Sequence, residues 1–220
     1  MLRLVRGSRR PDEGEPADAA GGARATDDLA PLAQAARRGE PRATPTLLAA
    51  VAPAVLKVAR SVLGPHNPDV EDVVQESLVG FLGALTTFRG QCSTLHFASR
   101  VATLTALKAR RRVGSRPDIH AGVADGAEGI ATTDATPLQL VVAARRREAV
   151  RALLAELPAP QGEALTMHLL LGYSVTDIAA AADAPAPTIR SRLRLAKEAL
   201  RARIATDPSL DDALRDEVTP

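Results

Sequence analysis

The sequence predicts an all-α fold of two helical domains joined by a flexible linker. Alanine and leucine supply most of the apolar side chains, aromatic residues make up only 2% of the chain, and runs of β-branched residues are scarce. Three segments lack helical periodicity, so we interpret them as a disordered N-terminal segment (residues 1–26), the linker (114–137) and an acidic tail (206–220). The helical domains then occupy residues 27–113 and 138–205.

Composition and charge narrow the class of protein. The net charge is only +2, but the basic residues are clustered, and clusters decide which partners a protein attracts. A single cysteine, Cys92, excludes an intrachain disulfide and fits a reducing compartment. The 4 histidines have no ligand spacing, so we expect no metal and no cofactor. Because the N-terminus lacks the apolar core of a signal peptide and the run Leu47–Leu56 is too short to span a bilayer, we expect a cytoplasmic protein without membrane insertion.

The clearest helix of the first domain is predicted to begin after Asp69. This residue is a suitable N-cap, and Asp72 favours the positive end of the helix dipole. Apolar residues at helical spacing predict one buried face: Val70, Val73, Val74, Leu78, Phe81, Leu82 and Leu85. A second face consists of Asp72, Gln75, Glu76 and Val79. We expect the helix to end before Phe88-Arg89-Gly90.

The next helix is predicted to begin near Ser93 and to end in a basic cluster at residues 108–112. Its apolar positions are Phe97, Val101, Leu104 and Leu107. The cluster places four cations in five residues, which is more than the C-terminal end of a helix dipole requires. We therefore favour contact with nucleic-acid phosphates over a purely structural role.

The second domain is predicted to open with two helices, at residues 145–157 and 161–171. Pro158 and Pro160 should end the first of them, because proline lacks the amide donor that a helix interior needs. Gly172 is placed to cap the second.

A helix-turn-helix follows at residues 175–197. Residues 175–182 form the first helix, and Asp183-Ala-Pro-Ala-Pro187 cannot continue it. The second helix should start near Thr188, with the Thr188 hydroxyl or Pro187 suiting a helix start. Its apolar stripe is Ile189, Leu193, Ala196, Leu200 and Ile204, and the opposite face carries Arg190, Arg194, Lys197 and Arg201. A core face opposite a cationic face suits a helix in the major groove, while a merely solvated basic face is the alternative.

Taken in order, these motifs resemble the extracytoplasmic-function (ECF) group of bacterial RNA polymerase sigma factors. The sigma-two-like motifs are Asp69-Val-Glu-Asp-Val-Val-Gln-Glu76, Phe88-Arg-Gly90, Ser93 and Arg100-Val-Ala102. The sigma-four-like motifs are Glu156-Leu-Pro158, Gly172-Tyr-Ser174, Asp177-Ile-Ala179 and Thr188-Ile-Arg-Ser-Arg-Leu193. The resemblance covers residues 28–112 and 140–204 and rests on the ordered pair of domains across a linker.

The resemblance implies a transcription initiation factor with no catalytic residues, which binds RNA polymerase core and promoter DNA. It implies contact with the clamp helices of the largest polymerase subunit by Asp72, Gln75 and Glu76. It implies recognition of the upstream promoter element by Thr188, Arg190, Ser191, Arg192, Arg194 and Lys197. It implies capture of the separated downstream strand by Phe97, Arg100, Lys108, Arg110, Arg111 and Arg112. The linker, with its acidic residues, would lie toward the catalytic centre, and an anti-sigma factor is a further expected partner.

The strand-opening helix departs from the family pattern. Phe97 stands near the position where the family has a tryptophan, and Ala98–Leu104 offers no second aromatic residue and no asparagine. Stacking of a base on an aromatic side chain is worth about 1–3 kcal/mol, so strand capture here should depend more on Arg100 and the basic cluster.

Two other functions stay open at this point. A free-standing helix-turn-helix regulator would bind DNA without polymerase, and a sigma-like protein could bind the core without melting DNA. An enzyme is disfavoured, because the sequence has no phosphate-binding Gly-rich loop, no nucleophile constellation and no metal-ligand cluster.

Overall fold

The computed structural model describes residues 27–114 and 137–206, and within them every regular element is a helix. The helices in chain order are α1 (Ala30–Arg37), α2 (Ala43–Leu63), α3 (Val70–Leu85), α4 (Thr94–Gly114), α5 (Pro137–Glu156), α6 (Ala159–Leu169), α7 (Val175–Ala182) and α8 (Ala186–Thr206). This confirms the all-α prediction. The predicted N-terminal segment, nearly all of the predicted linker with its acidic residues, and the acidic tail beyond Thr206 lie outside the described residues.

In the N-terminal half, α2, α3 and α4 pack against one another and α1 packs on α2. The buried face of α2 follows helical spacing and consists of Ala43, Leu47, Val51, Val55, Val58, Ala59, Val62 and Leu63. This helix is long and apolar enough to cross a bilayer by length and composition. Its apolar face, however, lies in the protein core, as in the core helix of a globular protein.

α3 confirms the helix predicted after Asp69, and Asp69 occupies its N-cap position. The Asp69 side chain makes no capping hydrogen bond. The side chain that acts here is Asn67, whose Oδ1 accepts a hydrogen bond from the Asp69 backbone amide at 2.9 Å. An Asx-type turn one step earlier therefore shapes the start of the helix.

The bounds of two helices in the C-terminal half differ from the prediction. α5 begins at Pro137, well before residue 145, and α6 runs from Ala159 to Leu169 instead of 161 to 171. Pro160 does not separate these helices but lies in the first turn of α6, where no amide donor is needed. Gly172 has a φ of 71° and lies beyond the end of α6, in the turn toward α7.

The helix-turn-helix is confirmed, and α7 has the predicted bounds. Ser174 and Asp177 form a reciprocal capping box at its start, and Asp183 ends it in the left-handed conformation, at a φ of 49°. α8 begins at Ala186, which confirms Pro187 in its first turn and excludes the alternative of Thr188 as the cap. Pro185 precedes the helix, and its carbonyl accepts the Thr188 amide at 2.9 Å.

The two halves pack together, which the sequence did not predict. α4 contacts α5, α6 and α7 as well as α2 and α3. Buried apolar residues form one cluster that extends from α1 to α8 and includes Leu107 of α4, Leu165 of α6 and Ile178 of α7. α4 is therefore the central helix of the described structure.

Candidate nucleic-acid interface

α8 presents a cationic surface opposite its buried stripe. Ile189, Leu193 and Ala196 are buried, which holds the helix against α6 and α7. Four of the predicted upstream-element residues are exposed and two are half-buried: Arg190, Ser191, Arg194 and Lys197 are exposed, and Thr188 and Arg192 are half-buried. The Arg194 guanidinium donates to Glu198 at 2.8 Å across one helical turn, and this exposed pair can exchange for a phosphate oxygen at little cost.

Phe97, the predicted base-stacking residue on α4, is half-buried in an aromatic cluster. Its ring stacks on Phe88 with centroids 4.6 Å apart and is tilted against Phe81 at 6.0 Å. Phe81 and Phe88 are themselves buried. The ring therefore already has partners on the core side, which leaves less of it available to a base.

All four of the predicted strand-contacting arginines make hydrogen bonds within the protein, and those of Arg100, Arg110 and Arg111 include part-buried ones. The Arg100 Nε donates to Glu163 at 2.6 Å, and Arg111 donates to the carbonyls of Ala155 at 2.8 Å and Leu157 at 3.0 Å. Arg110 donates to the carbonyls of Val62 and Leu63, both at 3.2 Å, and pairs with Glu148. Lys108 and Arg112 are exposed on the same helix. The basic end of α4 is thus divided between internal and outward-facing cations.

The predicted polymerase-contacting residues lie together on the outer face of α3. Asp72, Gln75 and Glu76 are all exposed, and Val79, which shares their face, is 71% exposed. The Glu76 carboxylate accepts a hydrogen bond from Arg112 at 3.2 Å, which joins this face to the basic end of α4.

The sequence analysis missed Asp27, which fixes the start of α4. Its Oδ2 accepts hydrogen bonds from the Thr94 amide at 2.7 Å and the Thr94 hydroxyl at 2.8 Å. Such a cap is separated from its helix by most of the N-terminal half, so no local pattern could reveal it.

Neither Tyr173 nor Cys92 is among the predicted site residues. The Tyr173 hydroxyl donates to Ser99 on α4 at 2.9 Å, and burial raises the pKa of this hydroxyl. Burial also raises the pKa of the Cys92 thiol, to about 11, so this thiol stays protonated near neutral pH.

Two family models match this chain, and each covers one half of the described structure. The Sigma-70 region 2 model matches residues 47–116, and the Sigma-70 region 4 model matches residues 147–200. The ECF RNA polymerase sigma-E factor of Salmonella typhimurium is 35% identical over 137 residues, which are 60% of this chain and 72% of that protein. This chain belongs to the ECF RNA polymerase sigma factor family.

Other sigma-E factors give similar matches. That of Escherichia coli K12 is 34% identical over 137 residues, covering 60% of this chain and 72% of that protein. That of Haemophilus influenzae is 31% identical over 141 residues, covering 62% and 75%. As a member of this family the chain is a transcription initiation factor, a class without catalysis of its own. All of its predicted DNA-binding and polymerase-binding residues fall inside the two matched regions.

Two solved structures also resemble this sigma factor. CnrH, in complex with the cytosolic domain of CnrY, is 24% identical with a TM-score of 0.48, over 80% of this chain and 96% of that one. The sigma factor RpoE of Bartonella quintana, in complex with the anti-sigma factor NepR, is 24% identical with a TM-score of 0.44, over 74% and 97%. Both are more distant in sequence than the sigma-E factors.

Proposed function

We propose that this sigma factor acts in the cytoplasm, binds RNA polymerase core, directs it to a subset of promoters and helps to open the duplex. The observation that supports this most is the combination of an exposed cationic face on α8 with an exposed acidic face on α3 in one chain. A free-standing regulator needs the first surface but has no use for the second. An anti-sigma factor is a further expected partner.

In this proposal α3 docks on the polymerase. Asp72, Gln75 and Glu76 supply the polar contacts and Val79 an apolar one. The surrounding carboxylates suit a basic surface on the polymerase and would speed the encounter by electrostatic attraction.

α8 would lie in the major groove of the upstream promoter element. Its exposed residues Arg190, Ser191, Arg194 and Lys197 carry the groups that contact base edges and phosphates. α4 would hold the separated downstream strand, with its cations on phosphates and Phe97 as the aromatic residue.

The deciding experiment is transcription reconstituted with core polymerase on a library of promoters, combined with permanganate footprinting. We expect transcripts that depend on this protein and reactive thymines in the downstream element. Specific transcripts without permanganate reactivity would contradict the strand-opening role. Tight, specific gel shifts by the protein alone would favour the free-standing regulator instead.

The variant Arg194→Ala tests the role of α8. A lost base or phosphate contact costs about 1–3 kcal/mol, so we expect promoter-specific transcription to fall about tenfold or more while core binding is unchanged. Arg203→Ala is the matched control, because it removes an exposed arginine of the same helix outside the predicted set. Equal loss of core binding in a pull-down would argue against this division of labour.

A further inference from the structure

We propose that the junction of α2, α4 and α5 is a binding site for a small phosphorylated ligand, held by the guanidinium groups of Arg110, Arg147 and Arg151. Anion binding at this junction goes beyond the proposed function and does not depend on it. Two of these guanidinium groups are fixed by the end of α2, and an exposed carboxylate of the protein occupies the position of the ligand.

Arg110 of α4 and Arg151 of α5 are anchored to backbone carbonyls at the C-terminal end of α2. Arg110 donates to the carbonyls of Val62 and Leu63, both at 3.2 Å. The Arg151 Nε donates to the Ser61 carbonyl at 3.0 Å. The last carbonyls of a helix have no partner within the helix, so they suit donors from neighbouring helices. Each guanidinium group is thus held in place before any ligand arrives, which lowers the cost of binding.

Both guanidinium groups also contact one carboxylate, that of Glu148. Arg110 pairs with its Oε1, and the Arg151 Nη1 lies 3.4 Å from its Oε2. The Arg110 and Arg151 side chains are only 12% and 8% exposed, whereas the Glu148 side chain is 57% exposed. Buried cations that lose their counter-charge are strongly destabilising, but an anion that replaces Glu148 keeps them neutralised. The displaced carboxylate turns to solvent, where it is well hydrated.

Arg147 supplies a further donor on the same face of α5. It precedes Arg151 by four residues, and side chains at this spacing are neighbours on a helix. Its Nε is buried and has no hydrogen-bond partner among the described residues. A buried donor without an acceptor is costly, so an anion that reaches this guanidinium group would remove that cost.

The donor set favours a phosphoryl group on a small molecule. A guanidinium group is planar and presents paired N–H donors that match the oxygens of a phosphate. A phosphoryl group can therefore contact Arg110 and Arg151 together, as the two oxygens of Glu148 do. A small ligand is favoured over a DNA backbone because these two side chains are nearly enclosed, whereas contact with a DNA backbone needs cations that project from the surface.

The test is a calorimetric titration of the full chain with pyrophosphate, at an ionic strength fixed with sodium chloride. We expect saturable binding that becomes about tenfold tighter in Glu148→Gln, because the competing carboxylate is removed, and about tenfold weaker in Arg147→Gln. Arg42→Gln is the matched control, since it removes an exposed arginine at the opposite end of α2 and should leave the affinity unchanged.

The source of the phosphoryl group is tested with ADP, which carries the same two phosphoryl groups as pyrophosphate. Tighter binding of ADP would support the site and identify a nucleotide as its ligand. Equal or weaker binding of ADP would support the site and identify a free phosphate.

Three results would overturn the inference. The first is no saturable pyrophosphate binding, or the same affinity in the wild-type chain and in Glu148→Gln. The second is an equal loss in Arg147→Gln and Arg42→Gln, which would show that only net charge matters. The third is an equal weakening of oligothymidylate binding by Arg147→Gln, which would assign this arginine to a DNA strand. If circular dichroism shows that Glu148→Gln does not fold, the comparison of Arg147→Gln with Arg42→Gln decides.

Discussion

At the scale of single residues, the basic side chains of α4 differ in whether they bond to part-buried acceptors or lie at the surface. Arg100, Arg110 and Arg111 donate to part-buried acceptors, whereas Lys108 is exposed and Arg112 pairs with Glu76 at the surface. Sequence reasoning grouped all five as phosphate contacts, because a local pattern shows charge but not direction. The division follows from which neighbours each turn of α4 meets, and this is set by residues far away in the chain.

Phe97 can be tested as a structural residue. Since its ring packs on Phe88 and Phe81, we expect Phe97→Ala to lower the free energy of unfolding by about 3 kcal/mol, measured by urea denaturation. Leu95→Ala, at an exposed position of the same helix, should change it by less than about 1 kcal/mol. A small effect at Phe97 with a large loss of promoter opening would instead favour a pure base-stacking role.

At the scale of elements, several helix ends are decided by contacts that lie outside the helix itself. α7 starts with its own capping box, so its bounds could be predicted from the sequence. α4 is different: Ser93 accepts the His96 amide locally, but the Thr94 amide needs Asp27 from the beginning of the described chain. The local sequence pattern therefore predicted the start of α4 correctly but did not reveal that Asp27 caps it.

Removal of the Asp27 cap should destabilise the fold at the start of α4. We expect Asp27→Ala to lower the free energy of unfolding by about 1–2 kcal/mol, because the Thr94 amide and hydroxyl lose a charged acceptor at the positive end of α4. Thermal unfolding followed by circular dichroism measures this. The neighbouring exposed residue provides the control, Asp28→Ala, which should leave the midpoint almost unchanged.

A charge change on the exposed face of α3 is expected to lower the affinity for polymerase core. Glu76→Lys places a cation in the acidic face and next to Arg112, so we expect affinity for core to fall about tenfold or more with no loss of helical content. Anisotropy of the labelled protein titrated with core measures the affinity. Glu71→Lys makes the same change at an exposed position of α3 outside the predicted set, and an equal loss there would show that only net charge matters.

At the scale of the whole molecule, one buried cluster spans both halves, with α4 at its centre. A two-domain chain with a linker need not pack in this way, and nothing in its periodicity indicates that it does. Gly162 marks a tight point of this packing. A β-carbon there would lie 3.0 Å from the Leu154 carbonyl, 3.5 Å from the Leu107 side chain and 3.7 Å from Arg111.

Enlarging Gly162 should therefore disturb the junction of α4, α5 and α6. We expect Gly162→Val to lower the free energy of unfolding by about 1–3 kcal/mol through overpacking. Gly83→Val on α3, where a β-carbon meets nothing within 4 Å, is the matched control and should be neutral or slightly stabilising. Equal stability of the two variants in denaturant titrations would show that the space around Gly162 accommodates a larger side chain.

The sequence by itself determined the all-α class, the helix-turn-helix and the acidic face of α3, because these depend on spacing within one or two turns of a helix. It also determined the family, through the order of the motifs along the chain. Only the tertiary structure decided that Asp27 caps α4, that Phe97 packs on Phe88, and that Arg100 pairs with the buried Glu163. Each of these contacts joins residues far apart in the chain. Their partners are chosen by how the helices pack, and a local pattern does not contain that information.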